Sequence, residues 1–106
     1  MIEFNNKGQT IILEEILEFY SKSNGKTREE LKNIPLDIEV RRDAKRYYFT
    51  IRNDDKEFKV EKLYQGIARY FLLGLLSREG DRLKDMGYKL NGYFQHYRSN
   101  RKIVLF

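Results

Sequence analysis

The apolar pattern predicts an α+β fold. Apolar residues recur at three- and four-residue spacing between residues 12 and 20, alternate with polar ones from 36 to 60, and return to helical spacing after 61. The 106 residues are the length of one domain, 1–106. With 41% hydrophobic residues, including 8 Tyr and 7 Phe, the chain can build a core. The expected architecture is two N-terminal helices, a three-stranded antiparallel meander, a buried central helix packed on the sheet, and a basic C-terminal segment ending in a strand.

Residues 1–4 read as a short strand ended by the turn cluster Asn5-Asn6-Lys7-Gly8. Thr10 then caps an amphipathic helix. Ile12, Leu13, Ile16, Leu17, Phe19 and Tyr20 form its apolar side, and Glu14, Glu15 and Glu18 its wet side. Ser23-Asn24-Gly25 ends it. Thr27-Arg28-Glu29-Glu30 is a capping box for a second helix, kept short because Ile34 precedes Pro35.

After Pro35 the period is two. Leu36, Ile38 and Val40 face one side, as do Tyr47, Phe49 and Ile51, then Phe58 and Val60. Two turn-rich stretches, 42–45 and 53–56, separate these strands. From Glu61 a helix with apolar residues on nearly every side is expected, buried on the dry face of the sheet. Gly66 and Gly74 within it suggest close approach of another element. A break is expected at residues 77–80, then a short helix over 81–86 capped by Gly87. Asn91-Gly92 reads as a turn. Residues 93–98 fit a strand or a helix, and 103–106 a terminal strand.

The absence of cysteine excludes disulfides, a thiol nucleophile and a cysteine zinc site. A single histidine leaves no all-protein zinc site of the usual kind, and no cofactor is expected. The longest apolar stretch, residues 67–76, is interrupted by Arg69 and falls short of the roughly 20 residues a span requires. No secretory signal opens the chain, so a cytoplasmic location is expected. Two Ala and one Pro among many Lys, Ile and Asn point to AT-rich coding, as in a low-GC bacterium or a mobile element.

Charge is polarised along the chain. Residues 1–40 carry five bases and eight acids; residues 41–106 carry sixteen bases and eight acids. Such asymmetry points to nucleic acid or another polyanion. It is concentrated in two places. The first is the hairpin tip with Arg41, Arg42, Lys45 and Arg46, extended along the strands by Tyr48 and Arg52. Each phosphate that such cations neutralise releases condensed counterions. Read as structure alone, the tip is a solvated hairpin that resists edge pairing. The second is the C-terminal segment, where Tyr88, Tyr93, Phe94 and Tyr97 interleave with Lys89, His96, Arg98, Arg101 and Lys102. Stacking aromatics beside cations suit single-stranded nucleic acid; read as structure, the aromatics complete the core.

Catalytic readings are less specific. The order helix, three strands, helix, terminal strand is compatible with the core of the PD-(D/E)xK nucleases, with Glu57 and Lys59 on the third strand. Three other acid-x-Lys pairs in the chain match the same pattern. His96 could serve a small ribonuclease toxin as general acid or base, with Arg98 or Arg101 on the phosphate. Residues 27–76 also match double-stranded-RNA-binding domains by order of elements, without their basic second helix.

The expectation is therefore a non-enzymatic protein that contacts nucleic acid or a nucleoprotein complex. An alternative is a phage or mobile-element inhibitor that docks on a host defence protein, as anti-CRISPR proteins do. A third is the ribonuclease.

Overall fold

The computed structural model describes residues 12–44, 46–63, 68–96 and 98–106. The expected strand at 1–4, the Thr10 cap, Lys45, Gly66 and Tyr97 lie outside the described residues. The fold is α+β, and the sheet has five strands where the sequence suggested a meander of three.

Helix α1 spans Ile12–Asn24 and buries Ile12, Leu13, Ile16, Leu17 and Tyr20, the face given by its 3.6-residue period. Gly25 follows it with φ 63°, the left-handed conformation that ends a helix. Phe19 stays half exposed, with the Lys62 ammonium 4.7 Å from its ring centre. The one-turn helix α2, Arg28–Leu31, carries the expected capping box. Thr27 Oγ1 accepts from Glu30 N–H at 3.1 Å, and Glu30 Oε1 accepts from Thr27 N–H at 3.0 Å.

Strands β1 (Leu36–Asp43), β2 (Arg46–Asn53) and β3 (Lys56–Leu63) form the meander. Ile38 pairs with Ile51, Val40 with Phe49 and Arg41 with Tyr48. This register sends Leu36, Ile38, Val40, Tyr47, Phe49 and Ile51 into the core. β3 continues through Leu63, which pairs with Arg46, so the segment from Glu61 is strand rather than the start of a helix. Cross-strand pairing overrides the helical spacing there.

Helix α3 spans Arg69–Asp85. No break occurs at residues 77–80, because Glu79 and Gly80 are both buried there and each holds a tertiary contact. Leu72, Leu75, Leu76 and Leu83 enter the core, but Tyr70 is 80% exposed, so the helix is amphipathic at its start rather than apolar all round. Gly74 faces open space, with no other element close to it among the described residues. Gly87 ends the helix with φ 107°.

The chain then returns as β4, Leu90–Gln95, with Asn91 and Gly92 inside the strand rather than at a turn. β4 runs parallel to β1, with Leu36 beside Leu90 and Arg41 beside Gln95. β5, Lys102–Val104, closes the edge antiparallel to β4. The strand order is β3-β2-β1-β4-β5. The helix between β3 and β4 supplies the crossover that a parallel pair requires. One face of the sheet packs against α1 and α3, and the other carries the polar and charged side chains toward solvent, with Glu39 and Thr50 buried among them. Among the described residues no helix is long and apolar enough to cross a membrane.

Candidate polyanion-binding cleft

Parallel pairing of β1 and β4 brings the two basic segments together. Arg41 sits beside Gln95, so the end of β1 and the residues that follow β4 occupy the same end of the sheet. There Arg42, Arg69, His96 and Arg98 line a cleft of about 460 Å³, with Phe94 in its wall. Asp43 is the only acid among the described residues that line it. A neighbouring recess of about 440 Å³ is lined by Arg41, Arg42, Asp43 and Tyr48. Another of about 400 Å³ includes His96, Arg98 and Arg101.

The cleft draws Arg42 from β1, Arg69 from α3, and His96 and Arg98 from the segment between β4 and β5. Arg42, which follows Ile38 and Val40 in the inward-facing alternation and is the next-to-last residue of β1, lies where the apolar core gives out. Its Nε donates to the Ala44 carbonyl at 2.7 Å, and its guanidinium carbon lies 5.8 Å from the Tyr47 ring centre. Arg69 opens α3. Its guanidinium carbon lies 5.5 Å from the Tyr70 ring centre and 5.9 Å from that of Phe94. Ala68 supplies no side-chain cap, and the first turn carries no acid. A cation at the positive end of a helix opposes the usual preference and makes the position attractive to an anion. His96 Nδ1 accepts from Arg98 N–H at 3.3 Å. Burial raises the Tyr47 hydroxyl pKa, and Arg42 and Arg69 act against that rise.

The solvent face of the sheet is basic too, and four of its cations are paired with acids. Arg41 Nε lies 3.4 Å from Glu39, Arg46 2.9 Å from Glu61, Arg52 3.6 Å from Glu57 and 3.8 Å from Glu39, and Lys59 3.1 Å from Glu57. Arg42 and Arg69 have no carboxylate partner among the described residues. Two classes of cation stand out: Arg41, Arg46, Arg52 and Lys59, paired with acids on the sheet within or across strands, and Arg42 and Arg69, which converge on the cleft.

The residues singled out from sequence divide accordingly. Arg42 and Arg98 come together in the cleft, and Arg41, Tyr48 and Arg101 line the recesses beside it. Arg46 is paired on the solvent face. Arg52 and Lys89 lie at the opposite end, where Asp37 pairs with Arg52 and the Lys89 carbonyl accepts from Leu36 N–H. Tyr93 is half-buried at the centre of the solvent face. Its hydroxyl lies 3.4 Å from Glu39 Oε2 and 3.5 Å from Arg52 Nη1, and the Lys102 ammonium covers its ring at 4.5 Å. Tyr88 and Phe94 belong to the core, so they offer no face to a base. Lys45 and Tyr97 lie outside the described residues.

Glu57 and Lys59 form an ion pair with each other on the edge strand. Among the described residues no group of three His, Asp or Glu is placed to hold a metal. The order helix, three strands, helix expected over residues 27–76 is present, and β4 and β5 extend the sheet beyond it, with β4 parallel to β1.

Sequence reasoning did not select Arg69 for the site. The available signal was a lone arginine interrupting an apolar run. Its meaning depended on the helix beginning there. No protein-family model, curated protein or solved structure matches the chain.

Proposed function

We propose that the protein binds nucleic acid, free or within a nucleoprotein complex, through the cleft of Arg42, Arg69, His96 and Arg98. The observation that carries this reading is the contrast in charge pairing. Arg41, Arg46, Arg52 and Lys59 are matched by acids on the sheet face, whereas Arg42 and Arg69 meet no carboxylate among the described residues and share a concave site with Arg98. Guanidinium groups that converge from several elements suit phosphate, which they can engage in a bidentate manner.

The test is fluorescence anisotropy of the protein with labelled single-stranded DNA, duplex DNA and RNA at roughly 50 and 200 mM salt. Binding that weakens steeply with salt, and is lost on Arg42→Ala with Arg69→Ala but kept on Arg46→Ala, is the expected result. No binding at the lower salt sinks the reading and leaves docking on a host protein, with the cationic end as a protein contact.

A further inference from the structure

The most exposed aromatic residue on the described surface stands beside this cleft. Tyr70, the second residue of α3, is 80% exposed, although tyrosines in a chain this small are mostly drawn inward. Its ring shares the Arg69 guanidinium with Phe94, the wall of the cleft: Arg69 lies 5.5 Å from one ring centre and 5.9 Å from the other. One arginine therefore joins the cationic cleft to an open aromatic face. Arg42 and Tyr47 make the same arginine-over-tyrosine contact deeper in, where the Tyr47 ring is buried and cannot meet a ligand.

We propose that the ligand of the cleft is single-stranded nucleic acid, with one unpaired base stacked on Tyr70 while an adjoining phosphate is held by Arg42, Arg69 and Arg98. This rests on the proposed function and narrows its ligand. A duplex keeps its base faces inside the stack and cannot present one to Tyr70, whereas an unpaired base of any identity can. Base stacking on an aromatic side chain is tolerant of sequence, so the site discriminates strandedness rather than base order. The bases and phosphates of DNA and RNA share this chemistry, and the 2′-hydroxyl has no assigned role in it.

The experiment compares three labelled probes with the full chain: a short oligothymidylate, an oligouridylate, and an abasic oligodeoxynucleotide of equal length and charge. Tyr70→Ala is expected to weaken the first two by roughly 5- to 150-fold, the range of one aromatic–base stack, and to leave the abasic probe unchanged. Tyr70→Phe keeps the ring and is expected to bind like the parent protein. Because Tyr70 is exposed, its truncation should leave the unfolding temperature in place, which is measured alongside. If Tyr70→Ala binds all three probes like the parent, the stacking inference is overturned and the cleft stands. Tighter binding of duplex than of single strand overturns it as well. If Arg42→Ala and Arg69→Ala change nothing on the abasic probe, the cleft reading itself has failed, and the inference with it.

Discussion

Glu79, midway along α3, accepts a hydrogen bond from the backbone N–H of Ile12 at 2.8 Å, 67 residues away in sequence. The Leu13 N–H lies 3.3 Å from the same oxygen. A buried carboxylate on one helix thus satisfies the first N–H groups of another, which have no partner inside their own helix. Arg82, one turn on, pairs with Glu14 of α1 and closes the same contact from outside.

This placement makes stability depend on pH. Burial pushes the Glu79 carboxyl up to about 7, against the Leu13 and Ile12 N–H groups and Arg82, which favour the ionised form; Glu14 adds to the rise. The native state then holds the proton more tightly than the unfolded chain. Its contribution is complete below the ordinary value of 4.5 and is lost as pH rises through about 7. The full effect is at most about 3 kcal/mol. Urea unfolding at about pH 5 and about pH 8 should show a falling midpoint for the parent protein and a smaller fall for Glu79→Gln, which keeps an acceptor without the charge. Equal falls in the two proteins would remove Glu79 from the effect.

The Phe106 ring is held between two glycines. A Cβ on Gly80 of α3 would lie 2.1 Å from the ring, and one on Gly92 of β4 2.2 Å from it. Neither glycine is required by its φ angle; both are required by the ring. Gly80→Ala and Gly92→Ala should each cost about 1–3 kcal/mol through overpacking. Phe106→Ala should cost about 3 kcal/mol through the cavity it leaves. Gly80→Ala added to Phe106→Ala should cost almost nothing further, since the clash is gone. Thermal unfolding of the four variants checks this, and strict additivity would contradict the packing described.

The two classes of cation should separate in salt titrations. Each phosphate contact removed from a single-stranded ligand lowers the slope of log affinity against log salt by about 0.7. Arg42→Ala and Arg69→Ala are each expected to lower it by about that amount. Arg46→Ala and Lys59→Ala, which break ion pairs with Glu61 and Glu57, should leave it unchanged. The reverse pattern would move the interface to the sheet face.

The capping box at α2 is exposed, so its cost can be read without repacking. Thr27→Ala removes the acceptor for Glu30 N–H and should destabilise by about 1 kcal/mol. For a chain of this length that is a fall of about 4–8 °C in Tm. A change in scanning calorimetry below about 1 °C would mean that the one-turn helix is held by Leu31 in the core and not by its cap.

Much of this was legible in the sequence because it is periodic and local. The spacing of Ile12 through Tyr20, the alternation from Leu36 to Val60, and Thr27 with Glu30 each declare their own element within a few residues. Elements were misread where a distant residue overrides that local signal. Glu61 to Leu63 joins a strand because Arg46 and its neighbours pair with it. Gly80 reads as a break until Phe106 is placed against it. Asn91-Gly92 reads as a turn until β1 supplies a parallel neighbour.

The cleft lies on the same divide. That Arg42 and Arg98 carry charge near chain segments poor in acids is a property of the sequence. That they meet, with Arg69 and His96, follows from β4 lying parallel beside β1, a pairing between strands about fifty residues apart that no local pattern encodes. The pairing of Arg46 and Arg52 is likewise decided by cross-strand register, because the opposite strand supplies Glu61, Glu57 or Glu39, whereas Arg41 and Lys59 pair with Glu39 and Glu57 two residues away on their own strands. The sequence alone determined α1, α2 and the three-stranded meander, with their buried faces, and the excess of positive charge. Tertiary structure decided which charges cancel and which converge, because electrostatic pairing acts over ångströms in space and not over positions in a chain.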